Sequence, residues 1–339
     1  MSGFRVSWQQ LFILFSVICM LGFSTVSRAD ETCQSPYMPK ITGQEDYVYV
    51  WTLGADGVGD GSDKVVTVGV NPNRPDQYGQ IVSSASVGGQ HEAHHGGFSD
   101  DRRHYWVSGL DDSKIFIFDV AVDPAKPKLV KTIDTFVEDS GGVVGPHTIY
   151  ALPGRVLITG LSNSKDHGGK TGMVEYSNEG KYIRTIWMPD DAPYGYDARV
   201  LPRLNRLLTS SFTGWNNYMM DFGQMLADPE AMKRFGSTMV LWDFHARKPI
   251  QTFEVPGAPL EIRWALQPQH NYAFTSTALT AQLWLIRQKE DGSFEAKAVS
   301  DIGDPSKIPL PVDISLSADD TTLFVDSFLD GMCRVYNVA

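Results

Sequence analysis

The residues best suited to chemistry crowd into one short stretch. Of the eight histidines in this 339-residue chain, His91, His94 and His95 fall in a single five-residue run with Glu92 among them. Neutral imidazoles gathered this closely suit a zinc or copper ion, the transition metals available to an exported protein. The same run formally matches H-E-x-x-H, the zinc-peptidase signature, which works because positions i and i+4 share one face of a helix. Gly88 and Gly89 precede it and Gly96 and Gly97 follow, leaving too few residues to sustain a helix. The spacing therefore predicts a strand or loop here, and the peptidase reading fails.

The elements that must hold these histidines are repeated strands. Five short segments rich in β-branched and aromatic residues end in Ser, Thr or Gly, starting at His104, Arg155, Arg206, Tyr272 and Thr322. The interval is about fifty residues, lengthened once by about fifteen, and each unit contains apolar runs separated by polar turns. Four antiparallel strands per unit with tight turns predicts an all-β chain of β-propeller blades. The long unit owes its excess to residues 213–236, which hold Met219, Met220, Met225 and Met232 and predict a capping loop with one short helix near Asp228. Residues 47–53, 64–70 and 80–84 read as strands two to four of a partial N-terminal blade.

In a propeller the first strand of each blade lines the central channel. Counting back from the second-strand Ser/Thr–Gly/Ser pair places His95, His147, Asp197 and Asp313 at corresponding inner positions, with Glu261 and Arg263 in the remaining unit. Ionisable groups are costly to bury unless paired or metal-bound, so their convergence marks a site. His94, His95 and His147 are the expected metal ligands. Asp197, Glu261, Arg263 and Asp313 either orient water and protons or simply pair with one another.

Residues 11–23 form an apolar run preceded by Arg5 and followed by small residues up to Ala29, which predicts a cleaved secretory signal over residues 1–29 and a propeller domain over 30–339. At about 1.5 Å per residue the run falls short of a ~30 Å bilayer core, so no membrane attachment is expected after cleavage. The expected location is periplasmic. With 40 acidic against 29 basic side chains and a net charge of −11, the chain should repel phosphate backbones, and nucleic acid is excluded as a partner. Cys33 and Cys333 survive cleavage as either one bridge or two thiols.

These motifs together resemble the selenium-binding protein family and its exported bacterial branch, the methanethiol oxidases. The matching stretches are Glu92 to Phe98, Pro146-His147-Thr148, Pro193 to Asp197, Pro259 to Arg263 and Asp313 to Asp320, covering nearly the whole mature chain. The resemblance implies a seven-bladed propeller of WD40/YVTN-like class, here C-terminally incomplete with about five blades and the partial one. It also implies copper held by His94, His95 and His147, and oxidation of methanethiol by O2 and water to formaldehyde, hydrogen sulfide and hydrogen peroxide. The cysteine tied to selenium in animal members corresponds to Gly79. Family members continue past Ala339 to a further inner-strand histidine, so weaker copper binding is expected of this chain alone. A homo-oligomer is possible. The alternatives are a periplasmic binding scaffold and a lactonase-like hydrolase using calcium and carboxylates, and metal content separates the three.

Overall fold

A computed structural model describes residues 34–307 and 309–339. The signal segment and Cys33 lie outside the described residues, as therefore does any pairing of Cys33 with Cys333. Among the described residues, no helix is long and apolar enough to cross a membrane.

Six antiparallel sheets follow one another along the chain, each a meander. The first holds β1 (Tyr47–Thr52), β2 (Lys64–Gly69) and β3 (Ile81–Ser86), and the second β4 (Ala93–Phe98), β5 (His104–Gly109), β6 (Lys114–Asp119) and β7 (Lys128–Ile133). The third holds β8 (Val143–Leu152), β9 (Arg155–Asn163), β10 (Gly172–Ser177) and β11 (Tyr182–Trp187). The fourth is β12 (Ala198–Leu201), β13 (Arg206–Thr209), β14 (Thr238–Asp243) and β15 (Lys248–Glu254). β16 (Pro259–Trp264), β17 (Tyr272–Thr277), β18 (Gln282–Gln288) and β19 (Phe294–Asp301) make the fifth, and β20 (Pro311–Leu316), β21 (Thr322–Ser327) and β22 (Cys333–Asn337) the sixth.

Packing shows why these are propeller blades and not layers of a sandwich. Each large apolar cluster draws on two consecutive sheets: Trp106 and Ile115 meet Ile158 and Val174, Leu157 and Met173 meet Val240 and Trp242, and Leu241 meets Ile262 and Ile286. Val65 against Phe116, and Phe274 against Ile314, continue the series at its two ends. Apolar faces on both sides let the middle strands read as continuous buried runs, as in β5 and β6, whereas fourth strands such as β11 lie mostly at the surface. In the three-stranded first sheet β1 is an edge, with Val48 and Val50 each more than two-fifths exposed.

Sheets three and four are also joined by charge. Glu175 on β10 is fully buried, and one of its oxygens accepts from Arg247 Nε and Nη2 at 3.0 and 2.9 Å across the blade boundary. Its other oxygen faces Arg184 and Arg155 Nε at 3.2 and 3.4 Å. Glu175→Ala would leave three guanidiniums around an uncharged cavity. Because Arg155 and Arg184 retain water contact, the expected loss is about 3 kcal/mol, the low end for a broken buried pair, read as a lowered denaturant midpoint at unchanged slope. An unchanged midpoint would contradict it.

The insertion between β13 and β14 differs from expectation in detail. It forms three short helices, Trp215–Tyr218, Phe222–Ala227 and Pro229–Met232, where one was expected. Asp221 and Asp228 explain the division: each side chain accepts an N–H of the helix that follows, and Pro229 at a first helical position needs no donor partner. A further helix, Phe136–Ser140, bridges β7 to β8 without an advance signal and closes with Gly141 at φ 75°.

Candidate metal centre

Four of the first strands, β20 among them, share one irregularity. Between Ala93 and Gly96 on β4, Pro146 and Ile149 on β8, and Pro259 and Ile262 on β16, the first strand carries one more residue than its partner. Such a bulge interrupts the alternation of a strand and re-aims its side chains. It is why His94 and His95, neighbours that a regular strand would send to opposite faces, serve one cluster. The bulge also corrects the inferred register. His147 is level with His94, and His95 is level with Thr148 and Glu261, because the β4–β5 connection is longer than the two-residue β8–β9 turn.

The three expected histidines converge. Ring centroids lie 4.8 Å apart for His94 and His95, 4.8 Å for His94 and His147, and 4.3 Å for His95 and His147. One nitrogen from each lies within 4.8 Å of the other two. His147 is fully buried, His95 partly, and His94 keeps a solvent-facing side. Burial, reinforced by His95, depresses the His94 pKa to about 3, and burial also lowers those of His95 and His147. All three are therefore neutral at pH 7, the form that ligates a metal.

The donor set fits a soft or borderline transition metal on a further observation. His147 Nε2 is buried without a hydrogen-bond partner, whereas Nδ1 lies 3.4 Å from Thr148 Oγ1. Thr148 Oγ1 in turn donates within reach of Asp197 Oδ1 (3.1 Å) and the Tyr196 carbonyl (3.3 Å). An imidazole held by one nitrogen and orphaned at the other is how a metal ligand is oriented. The Tyr196 ring packs on His147 at 4.0 Å and leads to Phe212 and Phe235 at the two ends of the insertion, giving the centre an apolar flank.

His91 is not part of the cluster. Its Nδ1 lies 2.7 Å from Asp112 Oδ2 and its backbone N–H donates to Asp63, so the H-E-x-x-H pattern is split on a strand. Asp197, Glu261, Arg263 and Asp313 pair with each other, as the blander of the two readings held, and recruit Arg199. Arg199 Nε lies 3.0 Å from Asp197 and its Nη2 3.1 Å from Glu261; Arg263 reaches Glu261 at 2.8 Å and Asp313 at 2.9 Å. Burial would raise the Glu261 pKa, but Arg263 and Arg199 more than reverse this and hold it well below the carboxylate range. For Asp197 burial outweighs Arg199 and pushes it up to about 7. Sequence reasoning missed Arg199, although it stands two residues after Asp197 as Arg263 does after Glu261, and it missed Tyr196 and Tyr218.

Comparison with known proteins places the chain in a family. The family model described as "56kDa selenium binding protein (SBP56)" matches residues 27–339. A methanethiol oxidase of Ruegeria pomeroyi is 61% identical over 325 residues, covering 92% of this chain and 74% of that protein. One from Hyphomicrobium sp is 57% identical, covering 94% and 74%. Among solved structures, a hypothetical selenium-binding protein from Sulfolobus tokodaii superposes with TM-score 0.78 at 24% identity, over 92% of this chain and 75% of that one. A putative 6-phosphogluconolactonase from Bacteroides fragilis follows at TM-score 0.58 and 11% identity, covering 88% and 80%, and shares the fold alone.

Proposed function

Because this chain belongs to the 56 kDa selenium-binding protein family, we propose that it is a methanethiol oxidase whose His94, His95 and His147 hold copper. The reaction would take methanethiol, O2 and water to formaldehyde, hydrogen sulfide and hydrogen peroxide. The observation that carries the reading is the convergence of three neutral imidazoles in a chain 61% identical to a methanethiol oxidase.

Copper would supply affinity for thiolate sulfur and an acceptor for its electrons. The protein's own part is to hold the donors. Thr148 and the segment around Tyr196 hold the ring of His147, leaving its Nε2 without a hydrogen-bond partner. The bulge on β4 brings His95 in beside His94, and the Arg199–Glu261–Arg263 network braces the neighbouring strand. The Tyr196 flank excludes water from one side and suits the methyl group of a small thiol. We place the enzyme in the periplasm on the signal pattern of residues 1–29.

The test is metal analysis of the purified chain after copper loading, with peroxide and sulfide measured on addition of methanethiol. Copper uptake, weaker than in a relative with the further histidine, and coupled release of both products are expected. Retention of calcium instead of copper, or copper without thiol oxidation, would overturn the reading.

A further inference from the structure

The insertion over residues 213–236 has no place in the blade itself, yet it is built and anchored. Asn217 is buried, donates from Nδ2 to the Ala231 carbonyl at 2.8 Å and accepts from Arg234 Nε at 2.8 Å, tying the first of its helices to the last. Asn216 donates through its backbone N–H to the carbonyl of His167 and through its side chain to that of Asp166, both at 3.1 Å. Trp215 packs on the His167 ring at 5.0 Å, so a segment from sheet four leans across onto sheet three.

Its Tyr218 reaches across to the strand that carries His147. A Cβ added to Gly145, two residues before His147, would sit 2.5 Å from Tyr218 Oη, so only a glycine lets the phenol come this close. Gly145 is also at φ 66°, where a side chain would be strained. Burial, with the charges of Asp111 and Glu92 adding to it, raises the pKa of the phenol, and Glu92 stands two residues before His94. Tyr218 therefore packs on the beginning of β8, two residues before the ligand His147. Its Oη is buried and has no hydrogen-bond partner.

We propose that the insertion is a lid whose Tyr218 sets the size of the thiol admitted to the His94–His95–His147 centre. The proposal rests on the oxidase reading for its substrate class and goes beyond it in naming the residue that selects within that class. In this proposal a short alkyl group fits between the phenol and the flank of Tyr196, Phe212 and Phe235, which pack in series from His147, and each added methylene displaces the lid. A methylene refused by a fitted apolar site changes kcat/KM by about 10- to 200-fold.

The experiment compares methanethiol, ethanethiol and 1-propanethiol on the copper-loaded chain and its Tyr218→Ala, Tyr218→Leu and Tyr218→Phe variants. The wild type and Tyr218→Phe, which keeps the ring, should disfavour each longer thiol by at least about tenfold in kcat/KM. In Tyr218→Ala the penalty should shrink to near unity, with Tyr218→Leu between them. A second readout needs no activity: diethyl pyrocarbonate modification of the metal-free chain, resolved by peptide mass spectrometry against exposed His245. Tyr218→Ala should speed modification of His95 and His147 relative to His245 by at least about tenfold. If neither selectivity nor modification changes in Tyr218→Ala and Tyr218→Leu, the lid proposal is wrong. If modification accelerates while the wild type oxidises no thiol, the lid stands and the oxidase reading falls.

Discussion

His147→Ala will strip the protein of copper and lower methanethiol-dependent peroxide formation by more than a hundredfold. Loss of a supporting partner of a metal ligand typically costs about 10- to 100-fold, and His147 is proposed here as a ligand, so the larger effect is expected. It is the one fully buried member of the cluster, with an orphaned Nε2, so no solvent molecule or neighbouring side chain is placed to replace it. His94→Ala should weaken copper retention less severely, because that ring retains a solvent-facing side from which water can enter. His245→Ala, at an exposed position, serves as the control and keeps full copper content. Undiminished copper in both His147→Ala and His94→Ala would return these histidines to a structural role.

Arg263→Met should be the most destabilising single change in the charge network, by about 3–5 kcal/mol at pH 7. Arg263 is 3% exposed and bridges Glu261 and Asp313, with Asp197 3.7 Å away. Its loss leaves buried Asp197 and Glu261 to share Arg199, while Asp313 can turn to water. The excess negative charge would raise the pKa of Asp197 further and lift that of Glu261 from its depressed value. A group whose folded pKa is raised contributes stability that is complete below its unfolded pKa and is lost as pH rises through the folded one. For Asp197, already at about 7, that window runs from about 4 to above 7. The deficit of Arg263→Met should therefore shrink between pH 8 and pH 5 in urea unfolding. Glu261→Gln should cost less, since Asp197 and Asp313 remain to face both guanidiniums. An Arg263→Met deficit that is constant with pH, or smaller than that of Glu261→Gln, would refute this account.

Much of the site was legible because a strand repeat carries its own ruler. The recurring Ser/Thr-ended second strands located the inner strands, and through them His95, His147, Asp197, Glu261 and Asp313, each of which lies on a first strand or, for Asp197, immediately before β12. The exact level of His147 was not legible. The bulges on β4 and β8 are alike and cancel, but the β4–β5 hairpin is two residues longer than β8–β9 between the equivalent pairs Gly96–Val107 and Ile149–Ile158, and that shifts the count. Arg199 escaped notice because a single arginine on a short strand reads as a solvated residue until Glu261, 62 residues away, is placed beside it. The insertion was visible as a break in the period, but neither its three helices nor its lean toward sheet three could be read from methionine content.

The sequence by itself determined the strands, their grouping into units and the types of residue facing the centre, since alternation, turn chemistry and helix-breaking glycines act within a few residues. Only the tertiary structure decided that the three imidazoles meet, which carboxylate keeps a raised pKa and which strand Tyr218 packs on. Those outcomes depend on stacking between sheets. Apolar burial, which drives the stacking, is non-directional and constrains only that faces be covered. The angle and level at which one blade lands on the next are fixed by side chains distant in sequence, and so the centre's geometry exists only once the sheets are packed.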